Sequence, residues 1–124
     1  MRTLLNIMLL FILSCNKEKE IIEGIHWNIL KVEGLTTGAI QQPIEIIVYW
    51  GYSSGCDFLN RFEESKTGNV IHIKAIGQTS SGICTTDAGI KTRIYTFTPN
   101  STGIFEFRFI NTDNSIITHI VTIN

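Results

Sequence analysis

Runs of like charge are absent from this 124-residue sequence. No acidic or basic run is longer than the pair Glu63–Glu64, and ten Lys and Arg residues nearly balance eleven Asp and Glu residues, for a net charge of −1. The chain therefore has neither a polybasic arm nor an acidic tail. Because such a chain has no electrostatic reason to bind phosphates, we expect no nucleic-acid partner.

An apolar run long enough to cross a bilayer is also absent. The longest predominantly apolar stretch, from Leu4 to Leu13, has ten residues, whereas a helix that spans the hydrocarbon core needs about 20. The stretch follows Arg2 and precedes Ser14–Cys15, which is the layout of a bacterial lipoprotein signal. We therefore expect Cys15 to be acylated and to anchor the protein in the membrane. Secretory cleavage without lipid and a resident membrane helix are the alternatives.

This signal divides the chain into three predicted parts. Residues 1–14 form the signal peptide, residues 15–22 form the lipidated cysteine with a polar tether, and residues 23–124 form the folded domain. The last part has the size of one domain and is long enough to bury a core. The expected location is the cell envelope, with the lipid anchor in the outer membrane and the domain on its periplasmic or surface face.

Cysteine is scarce, with three residues in the chain. If Cys15 carries lipid, Cys56 and Cys84 are left as a pair in an oxidising compartment, which favours a disulfide. Closing a loop of 28 residues contributes about 3.6 kcal/mol to stability in the loop-entropy treatment. A metal site is the alternative, but the chain has no CxxC spacing and no clustered His. Neither a metal nor another cofactor is expected.

No segment has helical periodicity over ten or more residues, so the domain is predicted to be all-β. Short runs rich in β-branched and aromatic residues recur at roughly ten-residue spacing. The seven predicted strands are 25–32, 44–50, 56–65, 70–76, 93–98, 104–110 and 116–123. This spacing is typical of an antiparallel β-sandwich of the immunoglobulin-like kind. A closed barrel is the structural alternative.

One hairpin can be predicted in more detail, whereas the register of the last hairpin stays open. If Lys66 and Asn69 flank a two-residue turn, Phe62 lies opposite Ile73 and Glu63 lies opposite His72. One face of this hairpin is then predicted to be buried, with Phe58, Phe62, Ile71, Ile73 and Ala75, and the other solvated, with Arg61, Glu63, His72 and Lys74. The last strand is apolar on both faces, which indicates a strand covered on both sides or an interface.

The pattern resembles small uncharacterised lipoproteins of Bacteroidota-type bacteria that carry an immunoglobulin-like domain. The residues that carry the resemblance are Ser14–Cys15, Gly55–Cys56, Phe62–Glu64, Ile83–Asp87, Tyr95–Pro99 and Gly103. The resemblance implies a fold and a location, and no activity. The Cys…Trp…Cys order of antibody domains is absent, because Trp27 and Trp50 both precede Cys56.

Patterns that carry catalysis are absent. His26, His72 and His119 fall on three different predicted strands, and we expect them to be strand-face residues. The chain has no GxSxG nucleophile elbow. Adjacent carboxylates such as Glu63 and Glu64 point to opposite faces of a strand and cannot act as a pair. We therefore expect the protein not to be an enzyme.

Four residues are candidates for ligand binding. Trp50 and Tyr52, in the Gly- and Ser-rich stretch 50–55, could offer a stacking surface for a sugar or peptide; packing in the core is the alternative. A Cys56–Cys84 disulfide would bring Asp57 and Asp87 into one region, as a weak calcium or sugar-hydroxyl site; turn-capping or solvated loop carboxylates are the alternative. The disulfide would also pin the long loop 77–89 against the start of the predicted strand 56–65, and this loop and stretch 50–55 are the expected contact regions.

These observations favour a lipid-anchored envelope protein that acts as a non-catalytic binding or structural accessory module. Its expected partners, besides the membrane, are an envelope protein, a peptide or a glycan. A protease-inhibitor-like module is the second hypothesis, since a small β-sandwich can present three loops to a cleft.

Overall fold

The computed structural model describes residues 20–124, so the predicted signal peptide and Cys15 lie outside the described residues. Nine strands and no helix are found in that range, which confirms the all-β prediction. The strands are β1 (Ile21–Trp27), β2 (Ile29–Gly34), β3 (Thr37–Gly38), β4 (Ile44–Tyr52), β5 (Phe58–Thr67), β6 (Val70–Ser80), β7 (Gly89–Phe97), β8 (Gly103–Ile110) and β9 (Ile116–Ile123). The described part of the chain contains no helix that could cross a membrane. Because β1 begins at Ile21, the last two residues of the predicted tether are already in a strand.

Two sheets share one core. The smaller sheet has the order β2-β4-β7, and the larger contains β5, β6, β1, β8, β9 and β3. Strand β6 is the centre of the larger sheet: β5 pairs along one edge, while β8 and β1 share the other edge end to end. The predicted antiparallel pattern is wrong for two pairs, since β6 with β8 and β3 with β9 run parallel.

The first predicted strand, 25–32, is two strands that belong to different sheets. The chain changes sheet at Asn28, whose side-chain oxygen accepts hydrogen bonds from the backbone N–H and the hydroxyl of Thr112. Asn111 holds the next residue by accepting from the Ile29 N–H at 2.8 Å and donating to its carbonyl at 3.1 Å. Apolar alternation continues through Trp27 and Ile29, so the sequence pattern gives no sign that the chain changes sheet at Asn28. This split and the short β3 account for nine strands where about seven were predicted.

The core lies between the sheets and follows the period-two alternation of the strands. The larger sheet contributes Leu59, Ile71, Ile73, Ala75, Phe105, Phe107, Phe109, Val121 and Ile123, and the smaller sheet contributes Ile29, Ile44, Ile46, Val48, Trp50, Tyr95 and Phe97. Aromatic rings meet across the gap, with the centroids of Tyr95 and Phe107 5.9 Å apart and those of Phe97 and Phe107 5.1 Å apart. Each fully buried side chain of this size contributes about 1.5–3 kcal/mol.

The β5–β6 hairpin keeps its predicted faces but not its predicted register. The turn is Gly68–Asn69 instead of Thr67–Gly68, so Phe62 lies opposite Ala75 and Glu63 opposite Lys74. A shift of two residues leaves every side chain on its face, which is why the buried-face prediction holds for most positions. Gly68 has φ +61°, as the first position of a type II′ turn requires.

Phe58 is the exception to the predicted hairpin faces. A bulge between Leu59 and Arg61 reverses the alternation, so Leu59 is buried and Phe58 is 50% exposed. The Arg93 guanidinium of β7 satisfies the backbone there, donating to the Leu59 carbonyl at 2.9 Å and to the Asn60 carbonyl at 3.1 Å. The sequence shows no glycine at this point, so the bulge leaves no local signal.

Strand β6 continues through Gly77, where the sequence analysis places the start of a long loop. The indole of Trp27 in β1 lies across Gly77 and donates to the Phe58 carbonyl of β5 at 2.9 Å. A Cβ at position 77 would lie 1.9 Å from that carbonyl oxygen and 2.3 Å from the indole nitrogen. Glycine is therefore required here for close approach, and the loop proper is residues 81–88.

Strand β9 is covered on one side only, so the prediction that it is covered on both sides is wrong. Val121 and Ile123 are buried, whereas Ile116 and Ile120 are each 49% exposed on the outer face. Their partners in β8 are Ile110 and Glu106. An interface at this outer face stays a prediction.

Side chains close the open side of the sandwich between β5 and β7, which do not pair through their backbones in the described chain. Tyr95 of β7 donates to the Glu64 carboxylate of β5, and the Lys66 ammonium lies 5.2 Å from the centroid of the Phe97 ring. Burial, together with the hydrogen bond to Glu64, holds the pKa of Tyr95 well above its usual value. Two separate sheets joined in this way fit a sandwich better than a closed barrel.

Candidate functional site

The predicted pairing of two loops is present at one end of the sandwich, here called the disulfide end. It consists of the β4–β5 loop (53–57), the β6–β7 loop (81–88) and the first described residue, Glu20. Cys56 and Cys84 form a disulfide with their Cα atoms 5.5 Å apart. The Gly55 N–H donates to the Thr85 carbonyl at 3.0 Å. The disulfide prediction is therefore confirmed.

Asp57 is buried at this end, with 2% exposure, and its carboxylate organises the β4–β5 loop. One oxygen accepts from the Ser53 N–H and hydroxyl, both at 2.8 Å, and from the Ser54 N–H at 3.1 Å. The other accepts from the Thr79 hydroxyl at 2.7 Å and the Ser54 hydroxyl at 3.4 Å. Burial alone raises the pKa of Asp57, but these hydrogen bonds outweigh it and hold the pKa below its ordinary value of 3.8.

Asp57 is thus a structural residue, and the predicted calcium or sugar site with Asp87 is not formed. Both oxygens of Asp57 are occupied by protein donors, whereas Asp87 is exposed in the β6–β7 loop. Within residues 20–124, no group of three His, Cys, Asp or Glu side chains gathers where a metal ion could bind.

Trp50 is 3% exposed and belongs to the core, which agrees with the core-packing alternative and not with a stacking surface. Its ring centroid is 5.5 Å from that of Trp27. Tyr52 is half-buried, and the Lys91 ammonium lies 4.4 Å from the centroid of its ring and 5.6 Å from that of Phe58. The sequence analysis missed Lys91, because nothing in the chain spacing places β7 beside these aromatic residues.

The three histidines do not meet. The Nε2 atom of His26 is 2.7 Å from the carbonyl of Ile110, the last residue of β8, and links β1 to that strand. The Nε2 atom of His119 is 2.9 Å from the Leu35 carbonyl and links β9 to the loop after β2. His72 lines a shallow depression of about 170 Å³ on the outer face of the larger sheet, with Glu63 and Lys74. A depression of this volume is smaller than the clefts that enclose small-molecule ligands.

The outer face of the smaller sheet carries apolar side chains where solvated residues are expected. We call this surface the aliphatic face and define it by Leu30, Ile47, Tyr49, Ile90 and Ile94. The exposed fractions of its four aliphatic side chains are 51% for Leu30, 36% for Ile47, 62% for Ile90 and 51% for Ile94. Contiguous exposed apolar surface with polar neighbours marks interaction sites.

Strand register brings these side chains together. Ile47 pairs with Ile94, and Ile90 pairs with Gly51. A Cβ on Gly51 would lie 3.8 Å from the Leu30 Cδ1 atom, so Leu30 covers the space that Gly51 leaves open. The face therefore runs across all three strands of the sheet.

A polar group lies along the β2 edge of the aliphatic face. The Lys31 ammonium is 3.0 Å from the Glu33 carboxylate, the Tyr49 hydroxyl donates to the same carboxylate at 2.9 Å, and Lys31 lies 4.4 Å from the centroid of the Tyr49 ring. Hydrogen bonds from Lys31 and Tyr49 lower the pKa of Glu33, and the pKa values of Lys31 and Tyr49 are raised by the same bonds. These partners hold Tyr49 in one orientation on a flat surface.

The aliphatic face continues into an open depression of about 400 Å³ at the end of the sheet away from the disulfide. Ile47 belongs to both surfaces, and Leu35, Pro43 and Glu45 complete the lining with Gly34. Leu35 is 69% exposed there. The depression gives an otherwise flat face a recess that a protruding side chain could fill.

Sequence reasoning missed the aliphatic face. The run 44–50 is apolar at consecutive positions, so its inward and outward residues could not be separated without the partner strand. A usable signal was present in β7, where Ile90 and Ile94 alternate out of phase with the core residues Tyr95 and Phe97.

Comparison of the chain with protein-family models, with curated proteins and with solved structures gives no match.

Proposed function

We propose that this protein is a lipid-anchored, non-catalytic module of the cell envelope that binds another envelope protein through its aliphatic face. The single observation that carries the binding role is the set of four aliphatic side chains exposed together on one sheet face. The anchor is supported by the layout of residues 1–15, in which Arg2, an apolar stretch and Ser14–Cys15 follow one another.

A protein is a better partner for this face than a glycan. Sugars are stacked on exposed aromatic rings, and of the two candidates for that role Trp50 is buried and Tyr52 is half-buried with Lys91 against its ring. Branched aliphatic side chains around a fixed tyrosine, with a charged pair beside them, have the composition of a protein–protein interface core and its rim.

The immunoglobulin-like character of the sandwich is part of the proposal. Two sheets that pack over a shared aromatic core, with a disulfide at one end, support it. The parallel pair of β6 and β8 departs from the fully antiparallel pattern. The location proposed from the signal layout of residues 1–15 is the outer membrane, with the domain on its periplasmic or surface face.

Photo-crosslinking in intact cells tests the binding role. A photoreactive residue at Ile94 should give one discrete crosslinked protein, and the added substitution Ile47→Lys should abolish it. The matched control is Ile104, which is 62% exposed on the outer face of the other sheet and should give no such product. Equal products from both positions, or none from Ile94, would contradict the proposal.

Cell fractionation tests the anchor separately. The wild-type protein should be found in the membrane fraction with a diacylated N-terminal Cys15, as read by mass spectrometry. The Cys15→Ser variant should lose acylation and leave that fraction. An N-terminal peptide that still contains residues 1–14 would contradict the anchor.

A protease-inhibitor-like role is the second candidate, favoured by one observation. Three loops meet at the end opposite the disulfide: residues 39–43, the β5–β6 turn and residues 98–102. The Gln41 N–H donates to the Pro99 carbonyl at 2.8 Å, and Gln41 has φ +63°. Titration against serine and cysteine proteases should then show stoichiometric loss of activity that disappears on Gln41→Pro, whereas inhibition of none of them would exclude this role.

A further inference from the structure

The chain enters the domain at the disulfide end. The Ser81 N–H donates to the Glu20 carbonyl at 2.9 Å, and the Glu20 N–H donates to the Ser81 hydroxyl at 2.9 Å. The first residue of β1, Ile21, pairs with Ser80. The start of the folded domain is thus fixed beside the β6–β7 loop that Cys84 closes.

The length of chain between Cys15 and Glu20 sets how far the domain can stand from an anchor. Five residues in any conformation span at most about 18 Å. The ten residue steps of β6 from Ser80 back to Val70 cover about 34 Å, and the β5–β6 turn lies beyond Val70. The tether therefore keeps the disulfide end within about 18 Å of an anchor at Cys15, whereas it does not keep the opposite end near the bilayer.

We propose, on the basis of the lipid anchor proposed above, that the disulfide end rests on the bilayer surface and that the β6–β7 loop contacts the lipid headgroups. Ile83, next to Cys84 in that loop, is 100% exposed. Because the disulfide and the Gly55–Thr85 hydrogen bond already hold the loop, its contact with lipid orders little additional chain.

Other exposed side chains of this end suit the same contact. Ile21 is 58% exposed, Ile22 is 56% exposed and Phe58 is 50% exposed. Tyr52 and Lys91 lie beside Phe58, and Tyr and Lys are side chains that place an apolar body in lipid and a polar tip in the headgroup layer.

Charge identifies the kind of lipid surface. Three exposed acidic residues, Glu20, Glu23 and Asp87, belong to the same end of the domain and outnumber Lys91 there. They would be repelled by anionic headgroups, so the contact depends on apolar insertion into a zwitterionic surface and not on attraction to anionic lipid. Adding anionic lipid should therefore not strengthen it.

This orientation also leaves the aliphatic face free. Strands β2, β4 and β7 run between the disulfide end and the opposite end, so their outer face stands roughly perpendicular to the bilayer and stays open to a partner. The stretches 50–55 and 77–89, which the sequence analysis considers for ligand binding, overlap the β4–β5 and β6–β7 loops, which are instead turned to the lipid.

The test uses the full lipidated protein, purified from membranes and reconstituted into phosphatidylethanolamine–phosphatidylcholine vesicles with bromine-labelled acyl chains. Two variants each add one indole: Ile83→Trp at the disulfide end and Ser101→Trp in the exposed loop at the opposite end. The added emission of Ile83→Trp should fall at least about twofold, as for a side chain at the headgroup–acyl boundary. That of Ser101→Trp should not change.

The outcomes separate this inference from the proposed function. Quenching at position 83 alone, unaffected by added phosphatidylglycerol, supports the orientation. Quenching at position 101, or at neither position, in protein that floats with the vesicles overturns the orientation and leaves the anchor intact. Protein that does not float overturns the anchor, and the orientation falls with it.

Discussion

Replacing the buried carboxylate of Asp57 should destabilise the domain strongly. The carboxylate accepts five hydrogen bonds, two of them from the backbone N–H groups of Ser53 and Ser54. A hydrogen bond to a charged group contributes about 1.5–3 kcal/mol, and buried donors left without a partner carry a desolvation penalty. Bonds that share one acceptor are not additive and the loop can take up water, so we expect Asp57→Ala to lose about 3–4 kcal/mol in total.

The variant Asp57→Asn tests the charge of the carboxylate separately from its shape, because the amide has nearly the same shape and no charge. The amide oxygen can still accept from the Ser53–Ser54 turn, and the Thr79 hydroxyl can rotate to accept from the amide nitrogen. The expected loss is about 1–2 kcal/mol, the difference between charged and neutral acceptors. Asp87→Asn, at an exposed position of the β6–β7 loop, is the control and should change stability by less than about 0.5 kcal/mol.

The same carboxylate predicts a pH dependence. Its pKa is lowered in the folded protein from the ordinary value of 3.8, so its charge stabilises the fold above pH 3.8 and this contribution is lost as the pH falls through the folded-state pKa. Urea unfolding can be followed by the fluorescence of Trp27 and Trp50. The difference in the free energy of unfolding between wild type and Asp57→Asn should narrow below pH 3.8. A difference that is absent at pH 7, or that widens in acid, would refute this account of the loop.

Three further changes probe other parts of the fold. Reduction of the Cys56–Cys84 disulfide should lower the free energy of unfolding by about 3.6 kcal/mol, from the 28-residue separation; equal urea midpoints before and after reduction would contradict this. Tyr95→Phe removes the hydrogen bond to Glu64 and keeps the ring, so calorimetry should show a loss of about 1 kcal/mol. Gly77→Ala forces a Cβ into the Phe58 carbonyl and the Trp27 indole and should cost at least about 1–3 kcal/mol, whereas Gly51→Ala, with its nearest neighbour at 3.8 Å, should cost far less in the same denaturation assay.

Much of the fold could be predicted because burial in a sheet has a period of two. The alternation of Phe105, Phe107 and Phe109 with charged residues identifies β8 and its inward face, and all three rings are buried. The bounds of β9 agree with the predicted run 116–123. The disulfide could be predicted from cysteine number, because the predicted acylation of Cys15 leaves two cysteines for one bond.

The remaining features depend on which strand lies beside which, and the sequence does not contain that information locally. Asn28 separates two sheets although the apolar pattern passes through it, and the parallel pairing of β6 with β8 joins strands far apart in the chain. Trp50 shows the same limit at the site. Its neighbours Gly51 and Ser53 suggest a loop, yet β4 continues to Tyr52 and places the indole in the core.

The antiparallel pairing of β1 with β6 has a mechanical consequence. Tension on the residues before Ile21, directed away from the domain, acts along the axis of β1, so the hydrogen bonds of six paired positions from Ile21 to Trp27 share the load in shear. At the inner end of that ladder the Trp27 indole crosses Gly77 of β6 and donates a hydrogen bond to the Phe58 carbonyl of β5. A force of this kind must break the whole ladder at once, whereas the same bonds pulled sideways would open one by one.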